Sequence, residues 1–376
     1  MPSENTILLA IELSVSTWLV AYRLPDTEKC RLHRIAGGDA PALLALISDL
    51  RSRVSAELGS VDMACCFEAG RDGVWLHRLL TAQGVVAYVL EPTSILVNRR
   101  ARRAKTDRLD AEGMVRVLAS WLSGDRQICS MVRVPTPEQE DAKRRHRERE
   151  HLVQDRVRIE NRIEALLFTQ GIRKTPSLRS WSRDLDALRT GDGRALPPLL
   201  RAELDRLRRR LELVRELIRE LEAEREATLS ATADRSSQQI AALQQIRGIG
   251  TNFAAVLVHE VFYRGFENRR QLASYVGIAP TPHKSGTMDR DRGISRAGNP
   301  RARTTLIQLA WLWLRYQPGS ELAIWFRARV GALQGRTRRI AIVAIARKLL
   351  IALWRYVESG LIPAGITLRA ELQAGV

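Results

Sequence analysis

The pattern of apolar and polar positions divides the chain into three regions. Up to about residue 135, short apolar runs alternate with amphipathic stretches. ILLAIELS and WLVAYRL predict β-strands, CRLHRIAG a third, and APALLALISDLRSRVSAEL a helix. MACCFEA then predicts a strand, GVWLHRLLTAQ a helix, VVAYVLEP a strand and TDRLDAEGMVRVLASWL a helix capped by Thr106. The order β, β, β, α, β, α, β, α predicts an α/β layer of the ribonuclease-H type with the first strand central. In the last helix Leu109, Val115, Leu118 and Leu122 are expected on the apolar side.

A turn-rich segment, MVRVPTPEQED, closes this region near residue 140. The charged stretch KRRHREREHLVQDRVRIENRIEALLF follows, with Leu152, Ile159, Ile163 and Leu166 among its apolar positions. After a break over 171–198, Leu200, Leu204, Leu207, Leu211, Val214, Ile218 and Leu221 alternate spacings of four and three. That is a coiled-coil seam, and it must be covered by the preceding helix, by another subunit or by both. From 240, IAALQQIRGIGTNFAAVLVHEV predicts a helix-hairpin-helix turning at Gly248 and Gly250, where backbone N–H groups could approach a phosphate. A polar, Gly-rich stretch precedes terminal apolar helices, whose Trp311, Trp313 and Trp354 are expected in the core. The division is thus 1–135, 136–235 and 236–376, with the last part mainly α-helical.

Four carboxylates stand out against this pattern. Glu12 and Glu68 lie in or at the end of apolar strands, and Asp107 and Asp110 lie three apart on the first turn of the helix after them. A negative charge in such positions is expensive unless a positive charge offsets it. A hard divalent cation, Mg²⁺ or Mn²⁺, takes oxygen ligands and leaves positions open for phosphate oxygens, which points to phosphodiester chemistry. The plainer alternative is ion pairing with neighbouring arginines.

Charge agrees with a polyanionic partner: among 376 residues, Lys and Arg exceed Asp and Glu by 18. Arg99, Arg100, Arg102, Arg103, Lys105 and Arg108 run directly into the acidic pair, where they could clamp a nucleic-acid backbone. No apolar run is long enough to span a bilayer and the N-terminus lacks a signal-peptide start, so a cytoplasmic protein is expected. The four cysteines lack zinc spacing and a disulfide framework, and His146 and His151 share no helix face well.

Taken together, IELS, FEAG, KTDRLDA, RGIG, SYVGIAP, KSG and RAGNPRAR resemble the DEDD-type insertion-sequence transposases related to the Piv invertases, described as bridge-RNA-guided recombinases. The resemblance runs over nearly the whole chain. It implies a Holliday-junction-resolvase-like N-terminal domain, a C-terminal transposase domain with a serine, and recombination by a tetramer acting on DNA with a structured RNA. It also implies the four acidic roles at Glu12, Glu68, Asp107 and Asp110, and a nucleophile at Ser285. Lys284, Arg296, Arg301 and Arg303 lie around that serine as candidate nucleic-acid contacts. One departure is Glu12, where the family usually has Asp in a GIDVS-like motif; the added methylene shifts the carboxylate. From the residues alone Ser295 and Thr287 are equal candidates for the nucleophile. Two further functions fit the same residues: a junction-resolving nuclease in which water attacks, and a non-catalytic nucleic-acid scaffold.

Overall fold

The computed structural model describes residues 5–25, 27–70, 73–95, 106–285, 288–331 and 335–369. The chain forms two compact units, Met1–Thr136 and Pro137–Val376.

The first unit is a mixed α/β layer. Its strands are β1 (Thr6–Leu13), β2 (Thr17–Arg23), β3 (Arg31–Ala36), β4 (Asp62–Glu68) and β5 (Val86–Leu90). Its helices are α1 (Ala40–Leu58), α2 (Gly73–Ala82) and α3 (Asp107–Leu122), so the anticipated order of elements is the observed one. The sheet order is β3-β2-β1-β4-β5, with β1 antiparallel to β2 and parallel to β4. Side chains alternate across the sheet, and the two faces build separate cores. Ile7, Leu9, Ile11, Cys65 and Phe67 pack with Leu43, Ile47 and Leu50 of α1 and Leu76 and Leu80 of α2. Leu8, Ala10, Ala64 and Cys66 pack on the other face against Ala111, Met114, Val115 and Leu118 of α3. Leu109, expected on the apolar side of α3, is 43% exposed. It sits in the first turn, ahead of the buried stripe.

The second unit is mainly helical. Helix α4 (Pro137–Asp141) leads into α5 (Arg144–Phe168), α6 (Trp181–Ala187) and α7 (Pro198–Ala231). Helices α8 (Arg235–Gln245), α9 (Thr251–Leu257) and α10 (Arg269–Val276) follow, with a π-helical turn at Val258–Phe262. The hairpin β6 (Pro280–Ser285) and β7 (Met288–Ile294) then precedes α11 (Pro300–Tyr316), α12 (Glu321–Val330) and α13 (Arg336–Ser359). The polar stretch before α11 is therefore not continuous loop. Of the three tryptophans expected in the core, Trp313 is buried and donates its indole N–H to Ser320 Oγ at 2.9 Å. Trp354 packs partly buried against the same core. Trp311 is 40% exposed beneath the Arg338 guanidinium.

The leucine seam of α7 is covered from within the chain. Leu204, Leu207 and Leu211 are buried with Ile159, Ile163 and Leu167 of α5 and Trp181 and Leu185 of α6. Ion pairs fix the direction: Arg149 meets Glu222, Arg215 meets Glu160 and Arg162 meets Glu203, so the two helices run antiparallel. The apolar burial carries this hairpin, because such partly exposed pairs each contribute less than about 1 kcal/mol. Leu207→Ala should accordingly cost about 2–5 kcal/mol in chemical denaturation. Leu213→Ala, at a position 55% exposed, should cost less than about 0.5 kcal/mol. Equal losses at the two positions would contradict the hairpin.

Candidate functional site

The β1–β4 register places two of the carboxylates. Pairing runs in parallel from Thr6 opposite Asp62 to Ile11 opposite Phe67, and Glu12 and Glu68 are the next residues on each strand. Strand alternation puts both on the face that holds Leu8, Ala10, Ala64 and Cys66, the face covered by α3. Both are half-buried. On α3, Thr106 caps the helix by accepting from Leu109 N–H at 3.3 Å, so Asp107 and Asp110 occupy its first turn. Carboxylates there complement the positive end of the helix dipole. The Cys66 thiol donates to the Met114 carbonyl at 3.5 Å, fixing α3 to β4 one turn after Asp110. Burial pushes the Cys66 thiol well up, with nearby Cys65, Cys129 and Glu68 adding to it, so this cysteine stays a neutral donor.

The all-oxygen donor set suits a hard divalent cation, and the shared strand level of Glu12 and Glu68 suits a common ligand. Among the described residues, however, no three His, Cys, Asp or Glu side chains gather at metal-binding range. Arg108 is exposed and paired with Glu112 at 2.9 Å. Arg99, Arg100, Arg102, Arg103 and Lys105 lie outside the described residues.

In the second unit, Ser285 is the last residue of β6 and pairs with Met288 at the distal end of the hairpin, next to Lys284 opposite Asp289. Thr287 lies outside the described residues. Ser295 is at the opposite end: its N–H donates to Ala279 at 2.9 Å, and its Oγ is buried without a hydrogen-bond partner among the described residues. The SYVGIAP and RAGNPRAR segments meet at two glycines. A Cβ on Gly277 would lie 1.9 Å from the Ala297 carbonyl oxygen, and one on Gly298 would lie 2.2 Å from that of Tyr275. Both glycines have positive φ, so neither position accepts a side chain.

At the RGIG turn only one glycine is open. Gly248 packs on Tyr316, whereas Gly250 caps α9 with free space beside it and lines a cleft of about 840 Å³ with Arg225, Arg247 and Arg369. Arg303 donates to the Val276 carbonyl at 3.1 Å. Arg301, a candidate nucleic-acid contact, pairs with Glu150 and Glu260.

Glu260 is the residue that sequence patterning did not flag. It sits in the π-helical turn and is 1% exposed. Its Oε1 meets His146 Nε2 at 2.9 Å and Arg147 Nε at 2.7 Å, and its Oε2 accepts from Arg147 and from Asn299, each at 3.0 Å. Tyr275 donates to its backbone carbonyl at 3.0 Å. Burial alone would raise this carboxyl, but the bonds from His146 and Arg147 hold it well below the usual range. Burial, reinforced by the stacked His146 ring 6.0 Å away, holds His259 down to about 4. The available signal was a lone carboxylate in the apolar run AAVLVHEVF, the same signal that singled out Glu12.

Comparison with known proteins decides the family. The transposase model of the IS110 DEDD type matches residues 21–170, and the model described as Transposase IS116/IS110/IS902 family matches residues 240–323. The candidate transposase y4rJ of Sinorhizobium fredii is 46% identical over 97% of this chain and 95% of its own length. The chain belongs to the IS110 family of insertion-sequence transposases. This transposase is thus a DNA-recombining enzyme. It is also similar to the transposase for insertion sequence element IS1111A of Coxiella burnetii, 25% identical over 80% of the chain and 78% of that protein. The transposase for IS1328 of Yersinia enterocolitica is 27% identical over 68% and 72%. The matched segments of this transposase take in Glu68, Asp107, Asp110 and Ser285, while Glu12 precedes the first of them. No helix among the described residues is long and apolar enough to cross a membrane.

The buried charges of this transposase predict its acid sensitivity. Glu260 is depressed when folded, so its stabilisation is full above the unfolded carboxyl value of about 4.3 and is lost as pH falls below it. His259 has the same sign, and its contribution is lost between about 6.5, the unfolded value, and about 4. Glu260→Gln should therefore cost about 3–5 kcal/mol at neutral pH and flatten the acid limb of stability measured by urea unfolding from pH 7 downwards. A variant as stable as the wild type at neutral pH would contradict the buried-charge account.

Proposed function

We propose that this protein cuts and rejoins the DNA strands of its insertion sequence through two centres, a metal-binding carboxylate set and a serine nucleophile. The observation that carries the first centre is the matched level of Glu12 and Glu68 on parallel strands beneath the helix that begins with Asp107 and Asp110. The sheet order β3-β2-β1-β4-β5 supports a ribonuclease-H-like, junction-resolvase-like unit over 1–135. Residues 136–235 serve as a helical spacer and 236–376 as the serine-bearing domain. Partners in this reading are element-end and target DNA, a structured guide RNA and further copies of the chain in the cytoplasm. The Arg-rich run from Arg99 to Arg108 and the open Gly250 turn would take backbone phosphates.

A Mg²⁺ or Mn²⁺ ion held by Glu12, Glu68, Asp107 and Asp110 would supply Lewis-acid polarisation of the phosphodiester. Ser285 Oγ bonds to phosphorus, the bridging P–O bond breaks, and the serine proton ends on the departing DNA hydroxyl. The phosphoserine diester retains the bond energy, so a hydroxyl from another strand can reverse the step and regenerate Ser285 without ATP. The distal hairpin position of Ser285 supports it over Ser295, whose hydroxyl is buried.

With element-end DNA, candidate guide RNA and Mg²⁺, the wild type should form a protein–DNA adduct that survives denaturant and disappears on proteolysis. Ser285→Ala should abolish it, while Ser295→Ala retains it. Wild-type cleavage to free ends by Ser285→Ala would show that water is the nucleophile. Asp110→Ala should reduce cleavage by at least about 100-fold, as loss of a major transition-state stabiliser does, while shifting DNA affinity only a few-fold. Undiminished cleavage by Asp110→Ala, or in EDTA, would overturn the metal centre.

A further inference from the structure

In the helical unit, α10, the base of the β6–β7 hairpin, α11 and α13 enclose a cleft of about 1070 Å³. Arg269, Arg270, Arg296, Arg336, Arg339 and Arg347 line it, and among the described residues no Asp or Glu does. None of these six makes an ion pair among the described residues, whereas Arg147, Arg149, Arg162, Arg215, Arg235 and Arg301 elsewhere in the unit each meet a carboxylate. The chain has 42 acidic residues, so the absence of any among the described residues of this lining is a matter of placement. Like charges held together without counter-ions repel one another, and a polyanion relieves that repulsion while releasing its own bound cations.

Two features narrow the ligand. Arg296 has φ of 58°, a left-handed conformation that is unfavourable for a non-glycine residue. Its N–H is tied to the Gly277 carbonyl at 3.1 Å, so the strain is held by the glycine-packed junction and fixes Arg296 at the cleft. Beside the arginines the lining includes the aliphatic Ile278, Ile294, Ile307, Val343 and Ile351, with Ile340 59% exposed. Free phosphate would leave these residues wet, and a duplex keeps its base faces stacked inside the helix. A single strand has both a charged backbone and unstacked bases.

We propose that this cleft binds a single nucleic-acid strand, with phosphates on the arginines and a base against the aliphatic floor around Ile340. The proposal rests on the reading of the chain as an enzyme that handles separated DNA strands. It adds where one strand is held in the helical unit, a role that neither the acidic set nor Ser285 performs.

The test is fluorescence anisotropy of the full-length protein with a labelled single-stranded DNA, an RNA strand of the same sequence and the corresponding DNA duplex, over a range of salt. Arg339→Gln with Arg347→Gln should weaken single-strand binding at least about ten-fold and reduce the salt slope by about 1.4, the value for two lost backbone contacts on a single strand. Lysine at both positions should restore the slope. Ile340→Ser should weaken single strands about three-fold or more, within the range of one lost base contact, and leave the duplex unchanged. A preference of the wild type for the DNA or RNA strand identifies the source of the bound strand. Single-strand binding by the double Gln variant at wild-type affinity and slope would overturn the cleft while leaving the recombinase reading intact. Equal effects of Ile340→Ser on strand and duplex would overturn the base contact. A wild type that binds no nucleic acid would overturn the functional reading itself.

Discussion

The functional account depends on one constraint, the parallel register between β1 and β4. Because side chains alternate along a strand, a slip of one residue would turn Glu12 or Glu68 away from the face beneath α3. The register is held by the buried sets on both faces. Ile7, Leu9 and Ile11 are committed to the core with α1 and α2, and Leu8 and Ala10 to the core with α3. A slip would therefore exchange two differently shaped cores at once. The acidic strand ends inherit their position from that packing, and the cap at Thr106 sets the first turn that brings Asp107 and Asp110 to the start of α3.

A different constraint organises the helical unit. Glu260 draws together the start of α5, the π-helical turn and the RAGNPRAR segment, while Tyr275 from the SYVGIAP segment caps its backbone carbonyl. One buried carboxylate is satisfied by two arginines, a histidine and an asparagine, so removal of any member leaves a charge or donor stranded. The π turn is itself a feature often retained at functional sites. Here it delivers a charged side chain into a core that otherwise consists of apolar residues such as Val258, Val261 and Leu257.

The first unit was legible because its strands carry continuous or alternating apolar runs and its last helix carries a clear cap. The order of elements, the cap at Thr106 and the strand-end position of Glu68 could all be read from the chain. The seam of α7 was equally plain, but its partner was not. Ile159 and Ile163 were legible as apolar positions of α5, but the sequence offered α5 and another subunit alike as cover, and Leu167 completes the buried stripe where Leu166 was expected. The β6–β7 hairpin escaped because PTPHKS and MDRDRGI alternate charges and prolines instead of apolar residues. The arginine cleft escaped for a different reason: its arginines come from α10, the segment after β7 and α13, which are far apart in sequence.

Iron-directed backbone cleavage tests the central claim, that four carboxylates from three segments hold one divalent cation. With Fe²⁺ substituted for the native metal and ascorbate and peroxide added, radicals cut the chain only near the bound ion. The account predicts fragments ending close to Glu12, Glu68 and the Asp107–Asp110 turn together, all suppressed by excess Mg²⁺. Cleavage at only one of these segments, or at none, would contradict a shared metal site.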